Sequence, residues 1–166
     1  LSMRAPRRAA VSFSPKSVEG TLDARGLRLG VVCARWNPTV TDGMLASALE
    51  TLRRRGAVTR DVTVVRVPGA FEVPAGVRAL VDATRPDAVI ALAAIVRGET
   101  SHHEVLGHAV AGALASLAAD TGVPVGFGIL TCDTMDQARG RVEKGVEAAE
   151  AAIEMASLRR QLKRRG

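Results

Sequence analysis

Residues 27–34, LRLGVVCA, make a near-continuous apolar run of strand length, and the signature returns at VTVVRV (62–67), DAVIALAAI (87–95) and VPVGFGIL (123–130). A strand apolar on both faces is a strand covered on both faces, as inside a parallel sheet. Between the runs the period changes. Met44, Leu45, Ala48, Leu49 and Leu52 recur at three- and four-residue spacing, which is one face of a helix. Thr41 is placed to cap its start and Gly56 to stop it. A second helix is expected after Pro68-Gly69 through about Thr84, a third over about 101–121, and a last from about Thr134 to Leu162. Strands alternating with helices predict right-handed βαβ units: a single-domain α/β fold, a doubly wound sheet of four parallel strands flanked by helices.

The folded domain is expected over 27–162. A Pro-, Ser- and Arg-rich lead, partly flexible, precedes it at 1–26, and a basic tail closes it at 163–166. In a doubly wound sheet, ligands bind beyond the carboxyl ends of the strands. The candidate site segments are therefore RWNPT after the first strand, PGAFE after the second, VRGETSH after the third and LTCDT after the fourth.

Composition sharpens this map. The apolar fraction of 47% is built from Ala, Val and Leu, and the chain has one Trp, three Phe and no Tyr. Trp36 and Phe71 both fall in the candidate segments, where an aromatic can stack on a planar ring. Phe127, inside the fourth strand, reads as ordinary core. The net charge of +6 invites a nucleic-acid reading, but the charge sits at the ends. Residues 1–16 hold four basic groups and 159–166 five, which leaves fourteen basic against seventeen acidic groups between them. No basic stripe with interleaved aromatics accompanies those ends, so nucleic acid is not expected as a partner. Cys33 and Cys132 lie outside any CxxC or metal-ligand spacing; two buried free thiols in a reducing cytoplasm are expected, with no metal. The longest apolar run, 88–96, is too short to cross a bilayer, so no membrane partner is expected.

The densest chemistry lies at Arg97-Gly98-Glu99-Thr100-Ser101-His102-His103-Glu104. A glycine followed by the free N–H groups of a helix start makes an anion site, although Thr100 or Ser101 acting as a simple cap explains the same residues. His102 would lie in the first turn, placed for proton transfer. His103 points about 100° away, so the two histidines cannot serve one site. His108 reads as a packed or exposed helix residue. Arg141 is within reach of the anion site but on spacing alone is one more surface arginine. GxxxxGK[ST], GxSxG and GxGxxG are all absent.

The segments RWN (35–37), VPGAFEVP (67–74), AIVRGETSH (94–102), PVGFGILT (124–131) and DQARGR (136–141) resemble, in this order, those of the lumazine synthase family. The resemblance covers about residues 20–160 and implies flavodoxin-like layering of the sheet. It implies condensation of 5-amino-6-(D-ribitylamino)uracil with 3,4-dihydroxy-2-butanone 4-phosphate to 6,7-dimethyl-8-ribityllumazine, in riboflavin biosynthesis. No cofactor or metal is implied. By resemblance His102 transfers protons, with Glu104 as the acid close behind it. Gly98, Glu99 and Thr100 hold the phosphate with Arg141. Trp36 stacks on the uracil, Asn37 lies beside it, and Ala70, Phe71 and Glu72 contact the uracil and ribityl chain. The backbone of Ala94, Ile95 and Val96 reads the ring edge. Phe127 and Arg141 come from a neighbouring subunit, and Lys144 lies near the same pocket. Residues 9–15, AAVSFSP, match a segment that pairs with a neighbour's sheet, or else form a disordered tail.

The chain departs from that pattern in three places. His103 and Val105 stand where aromatics are common, Cys132-Asp133 follows the last strand, and RVEKGVEAA (141–149) is shorter than the usual connection there. The short connection favours a homopentamer, or a pair of them, over a sixty-subunit shell. The competing reading is a non-catalytic flavin- or lumazine-binding paralogue, which would keep Trp36 and Glu72 but need neither His102 nor Arg141.

Overall fold

A computed structural model describes residues 10–166. Strands β1 (Leu29–Ala34), β2 (Val62–Val67), β3 (Ala88–Val96) and β4 (Val125–Cys132) pair in parallel in the order β2-β1-β3-β4. They alternate with α1 (Pro38–Arg54), α2 (Val73–Thr84), α3 (His102–Thr121), a short α4 (Met135–Arg139) and α5 (Lys144–Arg165). The parallel α/β sheet expected from the alternation is the observed one.

The central strands show why their sequences are apolar throughout. Leu29, Val31 and Cys33 of β1, with Ala88, Ile90, Leu92 and Ala94 of β3, bury against α1 and α5. The intervening Val32 and Ala34, with Val89, Ala91, Ala93 and Ile95, bury against α2 and α3. Fully burying one Val, Leu or Ile contributes about 1.5–3 kcal/mol. The ion pairs are mostly solvent-exposed, as at Arg53–Glu50 and Arg78–Asp82, and such pairs contribute about 0–1 kcal/mol each. Two-sided burial therefore holds the layers together. The GFG of β4 belongs to this packing and to no phosphate loop: a Cβ on Gly126 would strike the Ala148 carbonyl, and one on Gly128 would strike Leu92. The two glycines let α5 lie directly on the strand.

Several local expectations are corrected. Thr41 does not cap α1. The helix opens at Pro38, behind Asn37 in the left-handed region (φ 60°, ψ 53°), and Thr41 is buried in the first turn, donating its hydroxyl to the Asn37 carbonyl at 3.3 Å. Proline suits the first helical position because that N–H has no intrahelical partner to lose. The expected last helix is two helices. Thr134 caps α4, its hydroxyl accepting the Gln137 N–H at 3.2 Å; a turn over 140–143 follows, and α5 then runs to Arg165. The basic residues after Leu162 thus occupy the last turn of α5, where positive charge suits the helix dipole.

Within the lead, residues 10–20 form no helix or strand, and Val11 and Phe13 are exposed. Residue 9 and the basic Arg4, Arg7 and Arg8 lie outside the described residues. From Glu19 the lead runs along α5: the Gln161 side chain donates to the Glu19 carbonyl at 2.9 Å, the Thr21 N–H donates to Ser157 Oγ at 2.9 Å, and Ala24 is fully buried. Among the described residues no helix is long and apolar enough to cross a membrane.

Both cysteines are free and buried. Burial pushes the Cys33 thiol up to about 11, which Asp42 reinforces and Arg66 opposes. A thiol reagent at pH 8 is expected to modify Cys33 only as fast as the protein unfolds. An unfolded thiol ionises near 9, so the stability tied to Cys33 is full below that pH and declines as pH rises towards 11. Urea unfolding at pH 8 and pH 10 should show a shallower decline for Cys33→Val than for the wild type; identical declines would contradict the assignment.

Candidate functional site

The strand order reverses between β1 and β3, so the loops leaving these two strands part and open a crevice above their carboxyl ends. β3 also outruns its neighbour. Pairing with β1 stops at Cys33–Leu92, whereas β3 continues beside β4 to Val96–Cys132. The Val89 and Arg97 N–H groups both donate to the β4 side, to the Pro124 and Cys132 carbonyls at 2.9 and 2.8 Å. In a parallel strand successive residues face opposite neighbours, so Ala94 and Val96 face the vacated side. Asn37 fills the nearer place: its Nδ2 donates to the Ala94 carbonyl at 2.8 Å. The main-chain groups of Val96 lie just beyond, towards the crevice. Holding Asn37 in the left-handed region costs about 1–2 kcal/mol, less for Asn than for most residues, and this bond offsets a comparable amount.

A cavity of about 520 Å³ lies over this point. Trp36 and Asn37 reach it from β1, Ala70, Phe71 and Glu72 from β2, Ala94, Ile95 and Val96 from β3, and Gly98, Thr100 and His102 from the approach to α3. The indole lies on the backbone of Gly69, where a Cβ would collide with its Cε3 and Cζ3. Gly69 is extended (φ −141°), so the glycine serves close approach. The Trp36 N–H donates to the Pro68 carbonyl at 2.9 Å, and the Gly69 N–H donates to Glu72 Oε2 at 3.0 Å. The second carboxylate oxygen of Glu72 is not used in that turn. Trp36 is 64% exposed and Phe71 70%. Phe13 and Phe127 are exposed as well, so no aromatic side chain is buried in the core. An indole and a phenyl ring left in water beside one cavity provide a surface for a flat, apolar-faced ligand.

The start of α3 forms one wall. Ser101 stands at the cap position without a side-chain bond; Thr100 Oγ1 accepts the His102 N–H at 3.3 Å instead, so the capping reading holds in part. A Cβ on Gly98 would meet nothing within 4 Å, so the fold of the chain does not require glycine there. Glu99 is exposed and does not line the cavity. Arg97 turns away, its guanidinium 3.8 Å from Asp133. His102 is exposed while His103 is buried, as their divergence on a helix requires.

Phe127, Glu104 and Arg141 do not join this group. With His108, Thr131 and Gln137 they line a second cavity of about 720 Å³ between α3, β4 and α4. Phe127 is 43% exposed, contrary to its reading as core, because β4 is an edge strand. Lys144 lines neither cavity; its ammonium pairs with Glu147 at 2.9 Å and holds that carboxyl below the usual range. His103 lines both cavities, which spacing along the helix did not indicate. Among the described residues no group of three His, Cys, Asp or Glu side chains is placed to hold a metal ion.

A model of the family described as 6,7-dimethyl-8-ribityllumazine synthase matches residues 26–160, from just before β1 into α5.

Two substitutions separate fold from site. Gly69→Ala should force the indole off its seat and shift the emission of Trp36, the only tryptophan. Gly98→Ala should leave the melting temperature within about 1 °C of the wild type, since the added methyl meets open space. A large loss of stability in Gly98→Ala, or unaltered Trp36 emission in Gly69→Ala, would contradict this geometry.

Proposed function

The chain belongs to the 6,7-dimethyl-8-ribityllumazine synthase family, transferases of riboflavin biosynthesis, and we propose that it catalyses the family's condensation. The 5-amino group of 5-amino-6-(D-ribitylamino)uracil attacks the ketone of 3,4-dihydroxy-2-butanone 4-phosphate, and water leaves to give an imine. A proton is taken from the hydroxyl-bearing carbon beside the imine, and phosphate departs from the next carbon with the C–O electron pair. The enol left behind gains a proton on its terminal carbon and gives up its O–H proton to become a methyl ketone. The ribityl-bearing nitrogen then closes the ring on the newly formed carbonyl, and a second water is lost. The observation that carries the reading is one cavity holding an exposed indole, the unpaired end of β3, a free carboxylate oxygen and an imidazole at a helix start.

In this reading the uracil lies against Trp36 with Phe71 beside it, its edge on the main chain of Ala94, Ile95 and Val96. Asn37 keeps that strand end in place, and Ala70 and Glu72 meet the ribityl chain, whose hydroxyls donate to the carboxylate. Gly98, Glu99 and Thr100 present the helix start to the phosphate, where N–H groups and the dipole favour an anion. Arg141 adds a charge-assisted contact that strengthens as phosphate leaves. His102 moves the protons, a role that typically contributes on the order of 10²–10⁴-fold. Both reactants condense readily by themselves, so positioning carries more of the acceleration than proton transfer does.

Phe127 and Arg141 line a different cavity from Trp36, and this supports a site completed by a second copy of the chain. Val105, Ala109, Gly112, Ser116 and Ala119 make an exposed stripe of small residues along α3, suited to close packing of copies, and Val11 and Phe13 are apolar side chains without a home in their own chain. The proposed assembly is a homopentamer, or a pair of them, with Lys144 near the shared pocket and residues 9–15 added to a neighbouring sheet. A biosynthetic role and unpaired cysteines accord with the cytoplasm.

Purified protein mixed with both substrates should form fluorescent lumazine well above the uncatalysed rate; a rate equal to that background would contradict the proposal. Arg141→Ala should lower turnover more than His102→Ala. Trp36→Ala and Arg141→Ala variants, each inactive alone, should recover part of the activity when co-expressed, because mixed assemblies contain some intact sites. No recovery in verified mixed assemblies would contradict sharing.

A further inference from the structure

His103 sits on the first turn of α3 between His102 and Glu104, and it is the residue common to both cavities. Its side chain is 9% exposed. Nε2 faces Glu104, with Oε1 at 3.9 Å, longer than a hydrogen bond. Nδ1 is enclosed and has no partner; among the described residues it is the only buried side-chain nitrogen or oxygen in that state. Buried polar groups nearly always have a partner, because leaving one unpaired costs the full desolvation of the atom. A hydrocarbon ring would form the same wall without this cost. With Nε2–H turned to the carboxylate, Nδ1 is the acceptor of the neutral ring, and the chain supplies it with no donor.

Resting on the reading of the first cavity given above, we propose that His103 is a substrate-binding residue whose Nδ1 accepts a hydrogen bond from an alcohol hydroxyl of a bound substrate. Turning the imidazole about χ2, between the cavities on its two sides, brings the nitrogen to the ligand and gives up only the long approach to Glu104. The ribityl chain supplies that hydroxyl. Every oxygen of the butanone leaves as water or with phosphate, so only ribityl hydroxyls are common to substrate and lumazine, and the KM effect falls on the ribitylaminouracil.

Trp36 fluorescence reports binding in the first cavity without turnover. His103→Phe keeps a planar ring and deletes both nitrogens. It should weaken binding of 6,7-dimethyl-8-ribityllumazine and raise KM for the ribitylaminouracil about tenfold, with kcat within about twofold of the wild type. The ligand-free variant should melt about 2–4 °C higher, since the unpaired atom is gone. His103→Asn, whose amide sets a polar atom near the place of Nδ1, should restore most of the affinity. If His103→Phe binds and turns over as the wild type does, the proposal is overturned. It is overturned equally if His103→Asn binds as weakly as His103→Phe, because ring shape would then be what matters. Should His103→Phe not fold, His103→Leu provides the same comparison with Asn. A wild-type protein whose Trp36 emission ignores the lumazine would instead overturn the reading of the cavity itself.

Discussion

The amide of Asn37 on the carbonyl of Ala94, 2.8 Å long, ties the loop after β1 to the end of β3 at the point where the sheet reverses direction. β3 extends four residues beyond its last pairing with β1, and an unpaired strand end in that position would be satisfied by water or would close onto the nearest loop. Asn37 caps the first free carbonyl and leaves the main chain of Val96 open. The same residue holds the left-handed turn that starts α1 and sends Trp36 out over Gly69. One side chain therefore fixes the floor of the cavity, the seat of the indole and the start of a helix. A net contribution of about 1 kcal/mol from such a bond is small against the burial that holds the sheet. Its importance is geometric.

That geometry also divides the proposed chemistry. The flat surface and His102 stand at the reversal point, while Phe127 and Arg141 stand on the outer side of β4. α3 lies between the two groups, with buried His103 as the partition. A ring of copies placing the second cavity of one against the first cavity of the next would unite what a single chain keeps apart. An aromatic-poor core, with every aromatic ring at the surface, accords with a protein that spends its large side chains on ligands and neighbours.

Much of this was legible in the sequence. The apolar runs 27–34 and 87–95 have the length and pattern of strands covered on both sides, and the segments that follow the strands of such a sheet are the ones that build the cavity. The failures have local causes. Thr41 obeys the capping preference, but Pro38 starts the helix three residues earlier and Asn37 supplies the unusual backbone that this requires. The last helix breaks over 140–143 although its apolar spacing continues, since periodicity reports which face is buried and is blind to a turn that preserves the face. Phe127 lies inside a strand, but its place there does not tell the width of what covers it; β4 is an edge strand and the ring stays exposed. The burial of His103, and the unpaired state of its Nδ1, depend on tertiary packing that no spacing encodes.

The proposed chemistry requires a flat heterocycle at the reversal point and an anion held between α3 and an arginine of another copy. The direct measurement is an experimental structure of the assembled protein with 6,7-dimethyl-8-ribityllumazine and inorganic phosphate bound. The predicted result is the heterocycle on the face of Trp36, its edge on the main chain at Val96, and phosphate at the start of α3 within hydrogen-bond distance of Arg141 of an adjacent copy. A heterocycle bound away from Trp36, or an assembly that keeps every Arg141 remote from any α3 start, would contradict it.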